Sequence, residues 1–261
     1  MKSYISRPGA LAFLLLSIAI ATPADSDTTE RLAAIAKEMK SPDKEVRLKA
    51  VGHLVHFAGG QELALPALPH LREAMKDAVP EVRAVACTAI GNFREKSRGA
   101  VPDLVKLLRD SDKEVRQCAV RALGRVGAEA MSALPDMSRA TTDPDPVVRV
   151  VAHAAMIRVG APAQEHLPAV LKGMEDSSAL VRYKSAHCLE PLGAVAAPGV
   201  EKLGALLTDA DEKVRHYSAR ALANLGETAR PALAALKAAR EKETDTGNKG
   251  LMDAAIRNLS K

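Results

Sequence analysis

The stretch that decides the fold runs from Asp112 to Gly127 and reads Asp-Lys-Glu-Val-Arg-Gln-Cys-Ala-Val-Arg-Ala-Leu-Gly-Arg-Val-Gly. Asp112 is suited to cap a helix, because a short side-chain oxygen accepts from the free N–H groups of the first turn. Gly127 is suited to end the helix, because a residue without Cβ easily adopts a left-handed backbone. Between them an apolar stripe recurs at helical spacing: Val115, Ala119, Ala122, Leu123 and Val126. The stretch therefore predicts one amphipathic helix with its own start and end.

The Val-Arg pair of this helix recurs along the chain with a fixed period. After a first step of 36 residues the step is always 33, and the arginines of the pair are Arg47, Arg83, Arg116, Arg149, Arg182 and Arg215. Eleven residues after the later arginines comes a glycine: Gly127, Gly160, Gly193 and Gly226. Five residues before the valine, most copies have an aspartate: Asp77, Asp110, Asp143, Asp176 and Asp209. Such a period predicts stacked two-helix units, six of them complete and a seventh degenerate.

These columns resemble the HEAT family, in particular its bacterial phycobilisome-lyase-like branch, whose short repeats are built on D-x-x-V-R-x-x-A-x-x-A-L-x-x-(L/V)-G. The resemblance covers the chain from about Thr28 to its end. It implies an all-α fold, a right-handed α-solenoid of about seven two-helix repeats. It implies no particular function, because unrelated functions share this fold.

The first 24 residues have the pattern of a secretory signal peptide. Lys2 and Arg7 precede an apolar segment, Ala10 to Ala21, that is too short to span a membrane, since a spanning helix needs roughly 20 apolar residues. We expect cleavage near Ala21 or Ala24, with an uncleaved anchor as the alternative. The prediction is thus a signal peptide over residues 1–24, a solenoid over 25–261, no stable span after cleavage, and a secreted or periplasmic protein.

Composition agrees with one elongated array. Aromatic residues make up 2% of the chain and Trp is absent, so the interior must be built from Ala, Leu and Val. The net charge of +5 comes from interspersed acids and bases. That balance does not by itself indicate a nucleic-acid binder.

The arginine column is the most regular polar feature. Four of its members follow an aspartate by four residues at a helix start, a spacing that allows an ion pair. We predict a structural ladder formed by Asp43, Arg47, Arg83, Asp112, Arg116, Asp145, Arg149, Arg182, Asp211 and Arg215. Val79 and Ser178 stand where an aspartate is missing, so the two junctions there are expected to be less rigid.

The second helix of each repeat is expected to line the concave side of the array. Its outward ridge should lie one, five and nine residues after the repeat arginine, which gives a basic strip with one aromatic residue: Arg121, Arg125, Arg158, Tyr183, His187, His216 and Arg220. Arg and Tyr are favoured in recognition surfaces. The strip predicts a binding site for a protein partner, for which an acidic one is the natural guess. The alternative is a solvated polar face.

No catalytic set is visible in the sequence. His53 and His56 share a helix face, but with only His70 nearby they are too few to predict a metal site. Cys87, Cys118 and Cys188 lie among Ala and Val and are interpreted as small buried residues. A Cys87–Cys118 disulfide is not expected, because packed helix axes are about 8–10 Å apart.

The sequence therefore predicts a monomeric, non-catalytic interaction scaffold without cofactors. The main alternative is a ligand- or chromophore-handling protein related to phycobilin lyases, although export fits that reading poorly. A metal hydroxylase of the HEAT type would need His-Glu pairs, and no histidine here is followed by Glu. A nucleic-acid binder is a further alternative, disfavoured by export and by the low net charge.

Overall fold

The computed structural model of the protein describes residues 26–57 and 62–260. Over these residues it is an all-α solenoid of seven helix pairs, as the repeat predicts. The first helices of the pairs are α1 (Ser26–Glu38), α3 (Leu68–Ala74), α5 (Val101–Leu107), α7 (Leu134–Ala140), α9 (Ala163–Gly173), α11 (Val200–Leu206) and α13 (Leu233–Lys242). The second helices are α2 (Lys44–Phe57), α4 (Pro80–Asn92), α6 (Lys113–Val126), α8 (Pro146–Val159), α10 (Ala179–Leu189), α12 (Glu212–Asn224) and α14 (Thr246–Leu259). The predicted signal peptide lies outside the described residues.

Each second helix packs on the second helix before it, so that α2, α4, α6, α8, α10, α12 and α14 form one continuous layer. The apolar column seven residues after the repeat arginine forms its core. At most 1% of the surface is exposed in five members of this column: Leu54, Ile90, Leu123, Leu189 and Leu222. Each unit therefore buries its apolar face against its neighbours, as expected of a solenoid.

Small residues bring the central helices of this layer close together. A Cβ built on Gly124 would lie 2.8 Å from the Cβ of Ala155, and one built on Gly91 would lie 3.0 Å from the Cα of Ala122. A larger residue at Gly124 would therefore collide with the backbone of the neighbouring helix. This close approach sets residues at equivalent positions of α4, α6 and α8 side by side.

Short 3₁₀ helices connect most of the repeats. They span Glu62–Ala67, Arg94–Ala100, Gly127–Ala133, Glu190–Gly199 and Gly226–Ala232. Within the described part of the chain, the α8–α9 connection is the exception, because only Gly160, Ala161 and Pro162 separate the two helices. Pro168 lies inside α9.

The arginine ladder exists, but its partners differ from the predicted i, i+4 pairs. Asp112 accepts from the backbone N–H of Val115 as a helix cap. Arg116 instead reaches the next repeat, where its Nε and Nη2 donate to Asp143 at 2.7 and 2.9 Å. The same kind of ion pair between successive repeats is formed by four other arginines: Arg47 with Asp77, Arg83 with Asp110, Arg182 with Asp209, and Arg215 with Glu243. Asp43, Asp145 and Asp211 likewise cap their helices and do not pair with the arginine four residues later. Asp145 also forms an ion pair with Lys113 at 3.4 Å.

The weak point of the ladder is also not where the sequence suggested. Arg83 and Arg182, at the junctions with Val79 and Ser178, have full carboxylate partners. Among the described residues, the gap lies instead between Arg149 and Asp176. Arg149 donates only to the carbonyls of Asp143 and Pro144, and the Asp176 carboxylate accepts only from the N–H of Ser178. This gap coincides with the repeat that lacks a 3₁₀ connection.

In the part of the chain that the structure describes, no helix combines the length and the apolar character needed to cross a membrane.

Candidate partner-binding groove

The second helices line a cavity of about 630 Å³ in the middle of the array. Four of the predicted ridge residues line it together: Arg121, Arg125, Arg158 and His187. Arg94 and Lys184, which the ridge prediction missed, complete the wall. The site is called the basic groove below, and its cations are Arg94, Arg121, Arg125, Arg158 and Lys184.

The floor of the basic groove is apolar and made of small side chains. Val151, Ala154 and Ala155 are buried there, and Gly91 and Gly124 flank them. Because these side chains are small, α4, α6 and α8 pack closely and open space remains above the side chains. A ligand in the groove would contact an apolar floor and a ring of cations.

The cations of the groove are crowded and partly removed from water. Burial lowers the pKa of Arg125, and repulsion from Arg121 and Arg158 lowers it further. Burial and the charge of Arg94 lower the pKa of Arg158. Burial, followed by the charge of Arg121, also lowers the pKa of Lys184. In each case burial, followed by repulsion from a neighbouring arginine, disfavours the positive charge.

Among the described residues that line the groove, Glu190 is the one acid, and its carboxylate is already paired. Arg220 donates from Nε to its carboxylate at 3.0 Å, and Asn224 donates at 2.8 Å. Burial alone would raise the pKa of Glu190, but hydrogen bonds from His187 and Arg220 outweigh it and lower the pKa. Glu190 therefore balances Arg220 and His187 and leaves the groove cations uncompensated.

Arg94 has an unusual backbone. Its φ of +52° is left-handed, and among the described residues it is the only non-glycine with a positive φ. It lies eleven residues after Arg83, where the later repeats have a glycine; Gly193 and Gly226 there have φ values of +55° and +54°. A side chain in this conformation is disfavoured by roughly 1–2 kcal/mol. The interrupted glycine column was a signal in the sequence, and it was missed.

Tyr183 and His216, predicted on the same ridge, lie in a separate aromatic cluster beside the groove. The ring of Tyr217 is its centre, 5.1 Å from Tyr183, 5.0 Å from His187 and 5.2 Å from His216. The Arg220 guanidinium lies 4.7 Å from the centre of the Tyr217 ring. Tyr217 was missed because it follows the ridge position by one residue. The predicted ridge is thus split into the basic groove and this aromatic cluster.

The three cysteines are free thiols. Cys87 is fully buried, and Cys118 accepts from Nη2 of Arg121 at 3.2 Å. Cys188 lines the groove, and burial raises the pKa of its thiol to about 11. It is therefore protonated at neutral pH despite the cations around it.

Within the described residues, no three His, Cys, Asp or Glu side chains are grouped so as to hold a metal ion. His53 is exposed. The side chain of His56 lies outside the described part of the structure.

Comparison with known proteins agrees with this architecture. Residues 68–156 match the model of HEAT repeats, and residues 214–240 match that of the PBS lyase HEAT-like repeat. These two segments therefore match HEAT-like repeats, as the D-x-x-V-R pattern predicts. No curated protein matches the sequence.

Among solved structures, the chain is similar to the complex of CpcE and CpcF of phycocyanin lyase from Nostoc sp. PCC7120. The identity is 20%, the alignment covers 97% of this chain and 100% of that chain, and the TM-score is 0.57. At this identity the likeness concerns the fold alone. An engineered protein is 25% identical over 88% of this chain and 68% of its own, with a TM-score of 0.45. A designed armadillo repeat protein in complex with the peptide (KR)4 is 21% identical over 87% and 99%, with a TM-score of 0.42.

Proposed function

We propose that the protein is a non-catalytic scaffold that holds an acidic segment of a partner protein in the basic groove. The observation that supports this most strongly is the uncompensated charge of the groove. Among the described residues, the guanidinium groups of Arg94 and Arg158 make no hydrogen bond and no ion pair. Arg158 is half-buried, and Arg94 is exposed but lines the same groove. A half-buried cation without a counter-charge is unfavourable in the free protein, and an anion in the groove relieves that cost.

The apolar floor and the neighbouring aromatic cluster extend this proposal to a peptide. Carboxylates of an acidic segment would pair with the arginines, while apolar side chains would cover Val151 and Ala154. Tyr183 and Tyr217 offer stacking surface at the next repeats along the same layer. Export is part of the proposal: the apolar segment Ala10 to Ala21 behind Lys2 and Arg7 supports a partner in the cell envelope or outside the cell.

The test is a titration of the protein with a short polyglutamate peptide. Wild-type protein should bind it, and the affinity should fall as salt rises, because the contacts are ionic. The double variant Arg121→Glu, Arg158→Glu should bind at least about a hundredfold more weakly, since two attractive charges become repulsive.

The matched control is Arg98→Glu, Arg230→Glu, which changes the net charge equally at two exposed arginines outside the groove. It should bind as the wild type does once net-charge effects are screened by salt. Equal binding by the groove variant and the wild type would contradict the proposal.

A second candidate is the handling of an anionic small molecule, a role related to that of the lyase branch. It is favoured by the cavity volume of about 630 Å³, because small-molecule sites commonly enclose 300–1,000 Å³. Protein purified from its native host should then release a low-mass anion or a pigment on denaturation. Absence of any such compound would leave the protein-partner proposal as the better one.

A further inference from the structure

Arg94, Arg125 and Arg158 lie at one end of the groove. Their contacts differ from those of the other groove cations. Arg125 and Arg158 occupy equivalent positions on α6 and α8, nine residues after the repeat arginine. Asn92 occupies the same position on α4. The cations Arg121 and Lys184 have contacts of their own, with the Cys118 sulfur at 3.2 Å and the Tyr183 ring at 5.2 Å.

Arg125 is fixed in place by its neighbours. Its Nη1 donates to Oδ1 of Asn92, and Nδ2 of Asn92 donates to the carbonyl of Val55 at 2.9 Å. The stem of Arg125 packs over Gly91, since a Cβ there would lie 3.3 Å from its Cδ. One nitrogen of its guanidinium group is thus used to hold the side chain in place, and the rest of the group borders the groove. A donor held this way loses little freedom when an anion binds.

Arg94 lines the same groove from the 3₁₀ helix that follows α4. Its charge is felt by both Arg125 and Arg158, whose pKa values it lowers in addition to the larger effect of burial. Its backbone has the left-handed conformation that glycine adopts freely in the later repeats. Backbone strain of this kind, at a residue whose side chain lines a cavity, points to a role for the side chain.

We infer that Arg94, Arg125 and Arg158 form a clamp for one oxyanion group, a carboxylate or a phosphate, and that Arg94 closes it. The inference rests on the proposed function of the basic groove and names the anchoring chemistry within it. Arg125 and Arg158 provide donors from adjacent helices, and Arg94 provides a third from the start of the 3₁₀ helix that follows α4. Guanidinium groups suit this task, because their paired N–H donors match the oxygens of carboxylate and phosphate.

The clamp predicts opposite effects of one substitution on stability and on binding. Arg94→Gly removes a donor and relieves the left-handed strain. The variant should bind the anion at least about tenfold more weakly. Without anion it should melt roughly 2 °C higher than the wild type, because glycine accepts this backbone. Arg94→Ala should lose the same affinity without the gain in melting temperature.

Binding is measured by calorimetry with inorganic phosphate and, separately, with a short polyglutamate peptide. The two probes distinguish the source of the oxyanion, and a response to either one supports the clamp when Arg94→Gly weakens it. Arg98→Ala is the control, because Arg98 is an exposed arginine of the same 3₁₀ helix that does not line the groove. It should change neither affinity nor melting temperature.

The outcomes separate this inference from the proposed function. If Arg94→Gly binds both probes as the wild type does while Arg121→Glu, Arg158→Glu binds neither, the clamp is wrong and the basic groove remains. If the wild type binds neither probe, both are wrong. A melting temperature of Arg94→Gly at or below that of the wild type would overturn the part of the inference that concerns strain.

Discussion

Replacement of Asp143 by alanine is expected to lower the free energy of unfolding by about 3–5 kcal/mol. The Asp143 side chain is 7% exposed and its partner Arg116 is 13% exposed. Its carboxylate accepts from Nε and Nη2 of Arg116 and from the N–H of Asp145. The variant would leave a half-buried guanidinium group without its counter-charge, and such a loss is far more damaging than the loss of an exposed ion pair.

The array supplies a matched control for this experiment. Asp176 occupies the same position one repeat later, yet its carboxylate accepts only from the N–H of Ser178, at 2.8 Å. Asp176→Ala should therefore lower the free energy of unfolding by only about 1 kcal/mol, the value of a turn or cap hydrogen bond. Chemical denaturation of both variants measures the difference. Equal losses would show that the ion pairs across the repeats do not stabilise the array.

Acid is expected to destabilise the protein steeply below about pH 4.5. Glu243 is 5% exposed and accepts from Arg215 and from the N–H groups of Thr244 and Asp245. These contacts, led by the hydrogen bond from Arg215, lower its pKa from 4.5 to about 2. A carboxylate with a lowered pKa in the folded state adds stability that is complete above the unfolded pKa and is lost as the pH falls toward the folded one.

For Glu243 alone this amounts to about 3 kcal/mol. The ladder carboxylates Asp77, Asp110, Asp143 and Asp209 also have lowered pKa values. Burial raises these pKa values, but the hydrogen bond from arginine, a backbone N–H and the charges of nearby arginines together outweigh it. Their contributions to the stability of the folded protein are also lost as the pH falls. Unfolding in urea, measured from neutral pH down to about pH 3, should show this decline.

Glu243→Gln should be less stable at neutral pH and should lose less stability on acidification. The exposed pair of Glu73 with Lys76 provides the control: Glu73→Gln should leave the pH dependence as in the wild type. A pH dependence for Glu243→Gln identical to that of the wild type would contradict the role given to the Glu243 carboxylate.

The period and the apolar columns were enough to predict the fold. A column such as Leu54, Ile90 and Leu123 repeats because each member fills the same place in successive layers. The pairing of the ladder was harder to predict. Arg116 could meet Asp112 within its own helix or Asp143 across the repeats, and the choice depends on how closely adjacent turns stack. Asp112 is already occupied as a cap, so Arg116 takes the partner across the junction.

The gap at Arg149 and Asp176 could not be found by counting columns, since both residues are present. It accompanies the short α8–α9 connection, where the following first helix begins without a 3₁₀ turn. The period of 33 residues is kept there, but only three residues separate the end of α8 from the start of α9. Spacing in the sequence therefore gave the members of the ladder but not the distance between them.

Only part of the candidate groove was predicted, because spacing in the sequence identifies the residues that repeat on a helix face and no others. Arg121, Arg125 and Arg158 repeat on one helix face, and the structure brings them to one cavity. Arg94 lies beyond the end of its helix, so no helical period includes it. The sign available in the sequence was an arginine in a column that contains glycine in the four repeats that follow.

The central claim is that a partner lies in the basic groove, and photo-crosslinking in the native host tests it most directly. A photoreactive residue at Gln117, which lines the groove, is compared with one at Ala205, which is exposed on α11 and outside the groove. We expect an acidic protein to be crosslinked from Gln117 and not from Ala205, and the product to be lost in Arg121→Glu, Arg158→Glu. Crosslinking from Ala205 alone, or an undiminished product in the charge-reversed variant, would contradict the account.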